Sequence, residues 1–281
     1  MQYATEINIT YNCNLKCEYC SHLSKYMTGY VPLEEIEKQY AIWSSKIQPE
    51  TFRILGGEPC MHPDLASVIQ LTRQYWRHSN LRMTTNGLLL HRCSPTVFTA
   101  LKSNGMSIIL SQHKEHWEGK EKEAWTSGIE LLSTHGISYV IIPCWSYWWK
   151  TYRLDLVNGK SRILPFFSNS VNAWEHCCVK HGGCLTILDN LLYRCSQIAL
   201  FTRGYKIGLL GEEWKFLLNY NPLYPDASHE QVDQWLLDNT TKSDSACCMC
   251  PEVYEHGSLF EKFPNPRIAL ISCRHLMLNN L

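Results

Sequence analysis

The sequence predicts an α/β fold for the first half of the chain, and three observations carry that expectation. Five short runs of strand-type residues recur at regular intervals. Four segments with helical spacing of apolar residues lie between them. Turn and cap residues mark most of the junctions.

The elements follow in order. Residues 4–10 (ATEINIT) alternate, with Ile7 and Ile9 on one face, as a strand requires. Pro32 stands where a helix tolerates proline, and Leu33, Ile36, Tyr40, Trp43 and Ile47 then form an apolar stripe. Residues 51–55 (TFRIL) read as a second strand. Asp64 can cap a helix carrying Leu65, Val68, Ile69 and Trp76. Residues 81–85 (LRMTT) form a third strand ending at the Asn86-Gly87 turn signal. Ser94-Pro95 opens a helix with Val97, Phe98 and Leu101 inward and Gly105 as its stop. Residues 106–110 (MSIIL) are a fourth strand. A helix over 121–135, with Trp125, Ile129 and Leu132, stops at Gly136 before a fifth strand at 137–142.

Such an array implies βα units around a parallel sheet. Its crossovers are right-handed, which leaves an open doubly wound sheet or a barrel. After about residue 165 the rhythm fails. Residues 185–194 (LTILDNLLYR) read as a hairpin turning at Asp189-Asn190, and 231–237 as a helix. The expected organisation is a domain over 1–165 and a smaller cysteine-rich α+β appendage over 166–281.

The chain has 281 residues, with 26 Lys+Arg against 26 Asp+Glu. A neutral chain lacks the positive field that general nucleic-acid or membrane-surface binders need. The most apolar run, 139–149, is short and interrupted by Pro143 and Ser146, so no membrane span is expected. The start of the chain lacks a basic region followed by an apolar stretch, so the expected location is cytoplasmic.

Fourteen cysteines are present, and in a reducing compartment such a number points to metal or cluster ligation. Cys13, Cys17 and Cys20 form a C-x3-C-x2-C motif directly after the first strand. Zinc sites usually take four ligands in paired spacing. Three thiolates on one loop suit an iron–sulfur cluster with one iron left open. Gly56-Gly57-Glu58-Pro59 follows the second strand, where two glycines let the backbone edge approach a ligand closely. No H-x-x-x-H pair and no Ser/His/Asp arrangement stands out among the histidines.

With the Thr85-Asn86-Gly87 turn, these motifs resemble those of the radical S-adenosylmethionine (radical SAM) enzymes over roughly residues 4–143. The resemblance implies a partial (β/α)6 TIM-like barrel. It implies that Cys13, Cys17 and Cys20 hold a [4Fe–4S] cluster whose fourth iron binds the methionyl amine and carboxylate of S-adenosylmethionine (SAM). Gly56, Gly57 and Glu58 would meet the methionyl ammonium, and Tyr19 would lie near the adenine. Asn86, Ser111 and His113 are candidates for ribose or carboxylate contacts. One electron from the cluster would cleave SAM to methionine and a 5′-deoxyadenosyl radical, which takes hydrogen from a substrate C–H bond. A flavodoxin- or ferredoxin-type reductant is implied as partner.

Cys177, Asn190 and Cys195, followed by Cys247 and Cys250, resemble the auxiliary-cluster region of related enzymes, the twitch/SPASM type. That likeness implies one auxiliary [4Fe–4S] cluster, with Cys178, Cys184 and Cys248 as reserve ligands. Asn190 stands where a glycine is common, and asparagine tolerates the left-handed turn. A second auxiliary cluster would need another dense cysteine series. The required step after Cys250 lands on His256, and the next cysteine is Cys273. A structural zinc site on the same thiolates is the rival.

Trp145, Tyr147, Trp148 and Trp149 follow the fifth strand and read as a substrate wall, with Lys150, Arg153, Lys160 and Arg162 adding positive charge nearby. Rings that merely cement barrel to appendage are the plainer reading. The expected function is dehydrogenation of a small polar molecule by radical SAM chemistry. Crosslinking or epimerisation of a ribosomal peptide is the alternative, and a zinc-binding interaction module is the reading from another class.

Overall fold

The computed structural model describes residues 3–144, 150–157, 160–177 and 184–252. Five parallel strands follow the expected order: β1 (Ala4–Thr10), β2 (Thr51–Gly56), β3 (Asn80–Thr85), β4 (Ser107–Ser111) and β5 (Tyr139–Ile142). They are joined by α1 (Leu33–Ser44), α2 (Leu65–Tyr75), α3 (Pro95–Ser103) and α4 (Gly119–Thr134). Asp64 and Ser94 occupy the N-cap positions of α2 and α3, although neither side chain makes a capping bond.

The second half adds an antiparallel ribbon, β6 (Arg153–Val157) with β7 (Lys160–Leu164), and a short helix, α5 (Ser170–Glu175). Strands β8 (Cys184–Leu188) and β9 (Leu191–Tyr193) form the expected hairpin, and α6 (Ser196–Lys206) and α7 (His229–Thr241) follow. Asp189 and Asn190 both sit at positive φ, 52° and 65°, in the hairpin turn.

Strand β8 runs parallel to β1 on the side away from β2. The sheet order is therefore β5-β4-β3-β2-β1-β8-β9, a partial barrel with six parallel strands. The sixth comes from beyond the expected 165/166 boundary, so both halves of the chain share one sheet.

One face of this sheet is apolar. Ile7, Ile9, Phe52, Ile54, Met83, Ile108 and Ile187 pack with Ile36, Trp43, Val68 and Leu101 of the helices. Each such side chain contributes on the order of 1.5–3 kcal/mol by leaving water. A second core joins Tyr11, Leu23 and Met27, from the segment after β1, to Leu188, Phe201, Trp214 and Met249 of the second half. That core seats the first cysteine loop against the C-terminal elements. No helix among the described residues is long and apolar enough to cross a membrane.

Candidate cofactor and substrate site

Strand alternation sends the other face of the sheet inward, and there the sequence is polar. Thr186, Glu6, Arg53, Arg82 and Ser107 are aligned across five adjacent strands, each paired with the next. Glu6, Arg53 and Arg82 are only 5%, 8% and 5% exposed. The Glu6 carboxylate accepts from the Cys184 thiol at 3.0 Å and from Thr186 Oγ1 at 3.2 Å. Arg53 Nη1 reaches Cys184 Sγ at 3.9 Å. This layer is absent from the sequence reading. The signal for it was available, since Glu6 and Asn8 occupy the face of 4–10 opposite Ile7 and Ile9.

The segment carrying Cys13, Cys17 and Cys20 leaves the C-terminal end of β1. The three thiols lie within electrostatic reach of one another. Burial pushes Cys13 up to about 12 and Cys17 up to about 11. His113 Nδ1 lies 3.8 Å from Cys17 Sγ, and burial lowers this imidazole to about 4, so it is neutral at pH 7. Asn86 Nδ2 donates to Asn14 Oδ1 at 2.8 Å and lies 4.0 Å from Cys13 Sγ.

Gly56 and Gly57 pass directly beneath this segment. Gly57 N donates to the Thr10 carbonyl and Glu58 N to the Asn12 carbonyl, both at 2.7 Å. A Cβ on Gly56 would run into the Thr10 carbonyl oxygen, and one on Gly57 into that of Asn12. The Glu58 carboxylate is fully buried. It accepts from Thr85 Oγ1 at 2.5 Å, Asn86 N at 2.8 Å and Cys60 N at 3.2 Å. Burial raises this carboxyl, and those donors pull it down. Glu58 thus ties the loop after β2 to the loop after β3.

Tyr19 sits at positive φ, 57°, with Lys150 Nζ 4.9 Å from its ring centroid and the Tyr152 ring at 5.5 Å. Tyr19, Cys17, His113, Trp117, Cys144 and Lys150 line one cavity of about 470 Å³. Ser111 ends β4. The ring-rich stretch Trp145, Tyr147, Trp148 and Trp149 lies outside the described residues. Arg162 is bound by Glu213 at 2.8 and 3.0 Å, so its charge is neutralised by that carboxylate.

The second thiol group forms at the other end of the strands. Cys184 is level with Ala4 at the start of β1. Tyr193 pairs with Thr186, which brings the chain back toward Cys184 at Cys195. Cys177, Cys195, Cys247 and Cys250 are all within electrostatic reach of one another. Burial raises Cys195 and Cys250 and pushes Cys247 up to about 11. Cys248 neighbours Cys250. Cys184 is engaged by Glu6 in the polar layer, and Cys178 lies outside the described residues. Among the described residues no three Cys, His, Asp or Glu side chains converge on a point that one metal ion could occupy.

Comparison with known proteins places these observations. The sequence profile of the Radical SAM superfamily matches residues 7–142. The chain is 34% identical to GTP 3',8-cyclase of Rhodopirellula baltica over 88 residues, which are 30% of this chain and 24% of that protein. It is 32% identical to GTP 3',8-cyclase of Campylobacter jejuni subsp. doylei over 115 residues, 39% of this chain and 35% of that protein. The chain therefore spans about a third or less of the length of these curated relatives. Among solved structures, BtrN in an open conformation aligns over 89% of this chain and 92% of its own, at 12% identity and a TM-score of 0.44.

Proposed function

This chain belongs to the radical SAM superfamily over residues 7–142, which implies a [4Fe–4S] cluster and SAM, and we propose that it is an oxidoreductase that dehydrogenates a small polar substrate with help from an auxiliary [4Fe–4S] cluster. The observation that carries this reading is the buried polar layer lying between two thiol groups at opposite ends of the strands. Strand β1 is seven residues long, so about 20 Å of strand separates the ends.

The donor sets fit. Three thiols on one segment leave a fourth iron open, and four thiols in the second half close a site. Within each group the thiols lie within electrostatic reach of one another, as ligands of a shared cluster must. When bound, the first cluster, held by Cys13, Cys17 and Cys20, and SAM would supply the radical chemistry that takes hydrogen from a substrate C–H bond.

The side chains do the rest. Gly56 and Gly57 offer a backbone edge free of side chain for the methionyl ammonium. Glu58 holds Thr85 and Asn86 at that edge. Asn86 and His113 flank the thiols from β3 and β4, and Tyr19 supplies a ring for the adenine. Arg53 and Arg82 give the substrate donors and positive charge, and Glu6 gives an acceptor, in a layer shielded from water. Such groups suit a polyol or an amino alcohol, whose hydroxyls need buried partners.

Oxidation is preferred to epimerisation because of Cys184. An epimerase needs a thiol to return hydrogen to the substrate radical, and the thiol in the polar layer, Cys184, donates its hydrogen to Glu6. Peptide crosslinking remains the second reading. The relatives' substrate, GTP, would be a third polar molecule for the same layer.

The test is anaerobic. Reconstituted protein with reductant should release 5′-deoxyadenosine from SAM, and the Cys13/Cys17/Cys20→Ala variant should release none. Undiminished product in that variant would end the assignment. Wild-type protein should bind about eight irons, two clusters of four. Product formed in deuterated water should carry no new deuterium at carbon, and its appearance there would favour epimerisation.

A further inference from the structure

Arg194 is the last residue before Cys195, and its guanidinium lies against Cys247 of the second thiol group. It is 3% exposed. Nη1 lies 3.5 Å from Cys247 Sγ. Nη2 donates to the carbonyls of Asn239 at 3.0 Å and Lys242 at 2.7 Å, which closes the end of α7. The Trp174 ring covers the guanidinium at 4.4 Å. Nε is buried and makes no hydrogen bond. Among the described residues, no carboxylate lies within ion-pair distance of it.

A buried guanidinium cannot shed its proton, so its charge must be balanced in place. Carbonyls and a ring face soften the cost of burial but carry no negative charge, and an unpaired buried cation costs several kcal/mol. What Arg194 meets instead is the Cys247 thiol, with Cys195 also within electrostatic reach, and thiols become anionic when they ligate metal. The cation is therefore placed for a negatively charged centre on Cys177, Cys195, Cys247 and Cys250.

We propose that Arg194 sets the reduction potential of the auxiliary cluster, by an N–H···S bond to the Cys247 thiolate and by its fixed charge. This rests on the proposed auxiliary cluster. Each added electron makes the cluster more negative, so a buried cation and a hydrogen bond to a ligand sulfur favour the reduced state. The potential rises, and the cluster becomes the better electron acceptor. In a dehydrogenation the substrate radical gives up one electron and one proton to form a C=O or C=N bond. The proton leaves through a base or water, and Arg194 makes the auxiliary cluster ready to take the electron. The Trp174 face and the two carbonyls hold the guanidinium so that Nη1 stays on the sulfur.

The test uses the full chain carrying both clusters. An EPR-monitored redox titration of Arg194→Met should show the auxiliary signal shifted to lower potential, with the first cluster's potential unchanged as an internal reference. Arg194→Lys, which keeps the charge, should fall between Met and wild type. Pulsed EPR on wild-type protein labelled with guanidino-¹⁵N arginine should show ¹⁵N coupled to the reduced auxiliary cluster, an experiment that needs no variant to fold. An unshifted Met variant with full iron, or an auxiliary signal without ¹⁵N coupling, overturns the proposal. Wild-type protein with only about four irons would instead overturn the auxiliary cluster itself.

Discussion

At the scale of single residues, Glu58 acts as a clamp, and its charge is consumed in doing so. Three donors converge on its carboxylate, from Thr85, Asn86 and Cys60. In Glu58→Gln one oxygen becomes an NH₂ group, which must face at least one of those donors. Leaving a buried donor unmatched costs about 1–3 kcal/mol. The loop after β3 should then loosen from the loop after β2, and SAM binding, followed by equilibrium dialysis, should weaken by roughly tenfold, or about 1.4 kcal/mol. Affinity equal to wild type would show that the clamp does not position the cofactor edge. Cys184 offers a second case. Cys184→Ala removes a donor to the buried Glu6 and should cost about 1–3 kcal/mol in a denaturation curve. Iron content should not change, because the thiol donates to Glu6, even though Cys195 lies within electrostatic reach of it. A loss of about four irons would return Cys184 to the ligand set.

At the scale of elements, close approach is what the glycines secure. Gly57→Ala would push a methyl group into the Asn12 carbonyl, one residue before the first thiol. The backbone bonds from Gly57 and Glu58 to Thr10 and Asn12 would part, and with them the seat of the cysteine loop. Iron bound at the first site and 5′-deoxyadenosine release should both fall sharply, with the second site's iron retained. The β8–β9 turn gives the opposite sign. Asn190 is at φ 65°, so Asn190→Gly should be tolerated and Asn190→Val should destabilise by about 1–2 kcal/mol in thermal melts.

These elements also show what was legible in the sequence. The five strands and four helices of the first half could be read because their apolar residues are periodic and turn or cap residues mark most of the junctions. Helix α6 could not, since small and apolar residues dominate it, Ser196, Ile198, Leu200, Phe201 and Gly204 among them, and Gly204 interrupts its helical propensity. The ribbon of β6 and β7 was hidden for the reverse reason. Its charged residues looked like part of a substrate wall, whereas Arg162 is held by Glu213. The first three thiols and the glycine edge were legible as motifs. The polar layer was not, because Glu6, Arg53, Arg82 and Thr186 are distant in sequence and meet only through strand register.

At the scale of the whole molecule, the position of β8 decides how the two thiol groups relate. Pairing with β1 in parallel puts Cys184 beside the start of β1, and the hairpin then carries the chain back to Cys195 at that same edge. The first thiol group leaves the opposite end of the same strand. The two groups thus stand at opposite ends of one strand and can be disabled separately. Replacing Cys195 and Cys250 by Ala should remove about half of the iron. SAM cleavage should persist, because Cys13, Cys17, Cys20 and the Gly56-Gly57 edge are built on β1 and β2 and do not depend on those thiols. If the auxiliary cluster takes the substrate's electron as proposed, substrate turnover should fail. Replacing both Arg53 and Arg82 by Met should give the complementary failure. Both clusters would stay loaded and SAM would be cleaved without product, because the substrate is no longer held in the layer between them. If the cysteine variant instead keeps all its iron, the second thiol group is not a cluster site. If the arginine variant turns over normally, the layer is a structural seam and the substrate binds elsewhere.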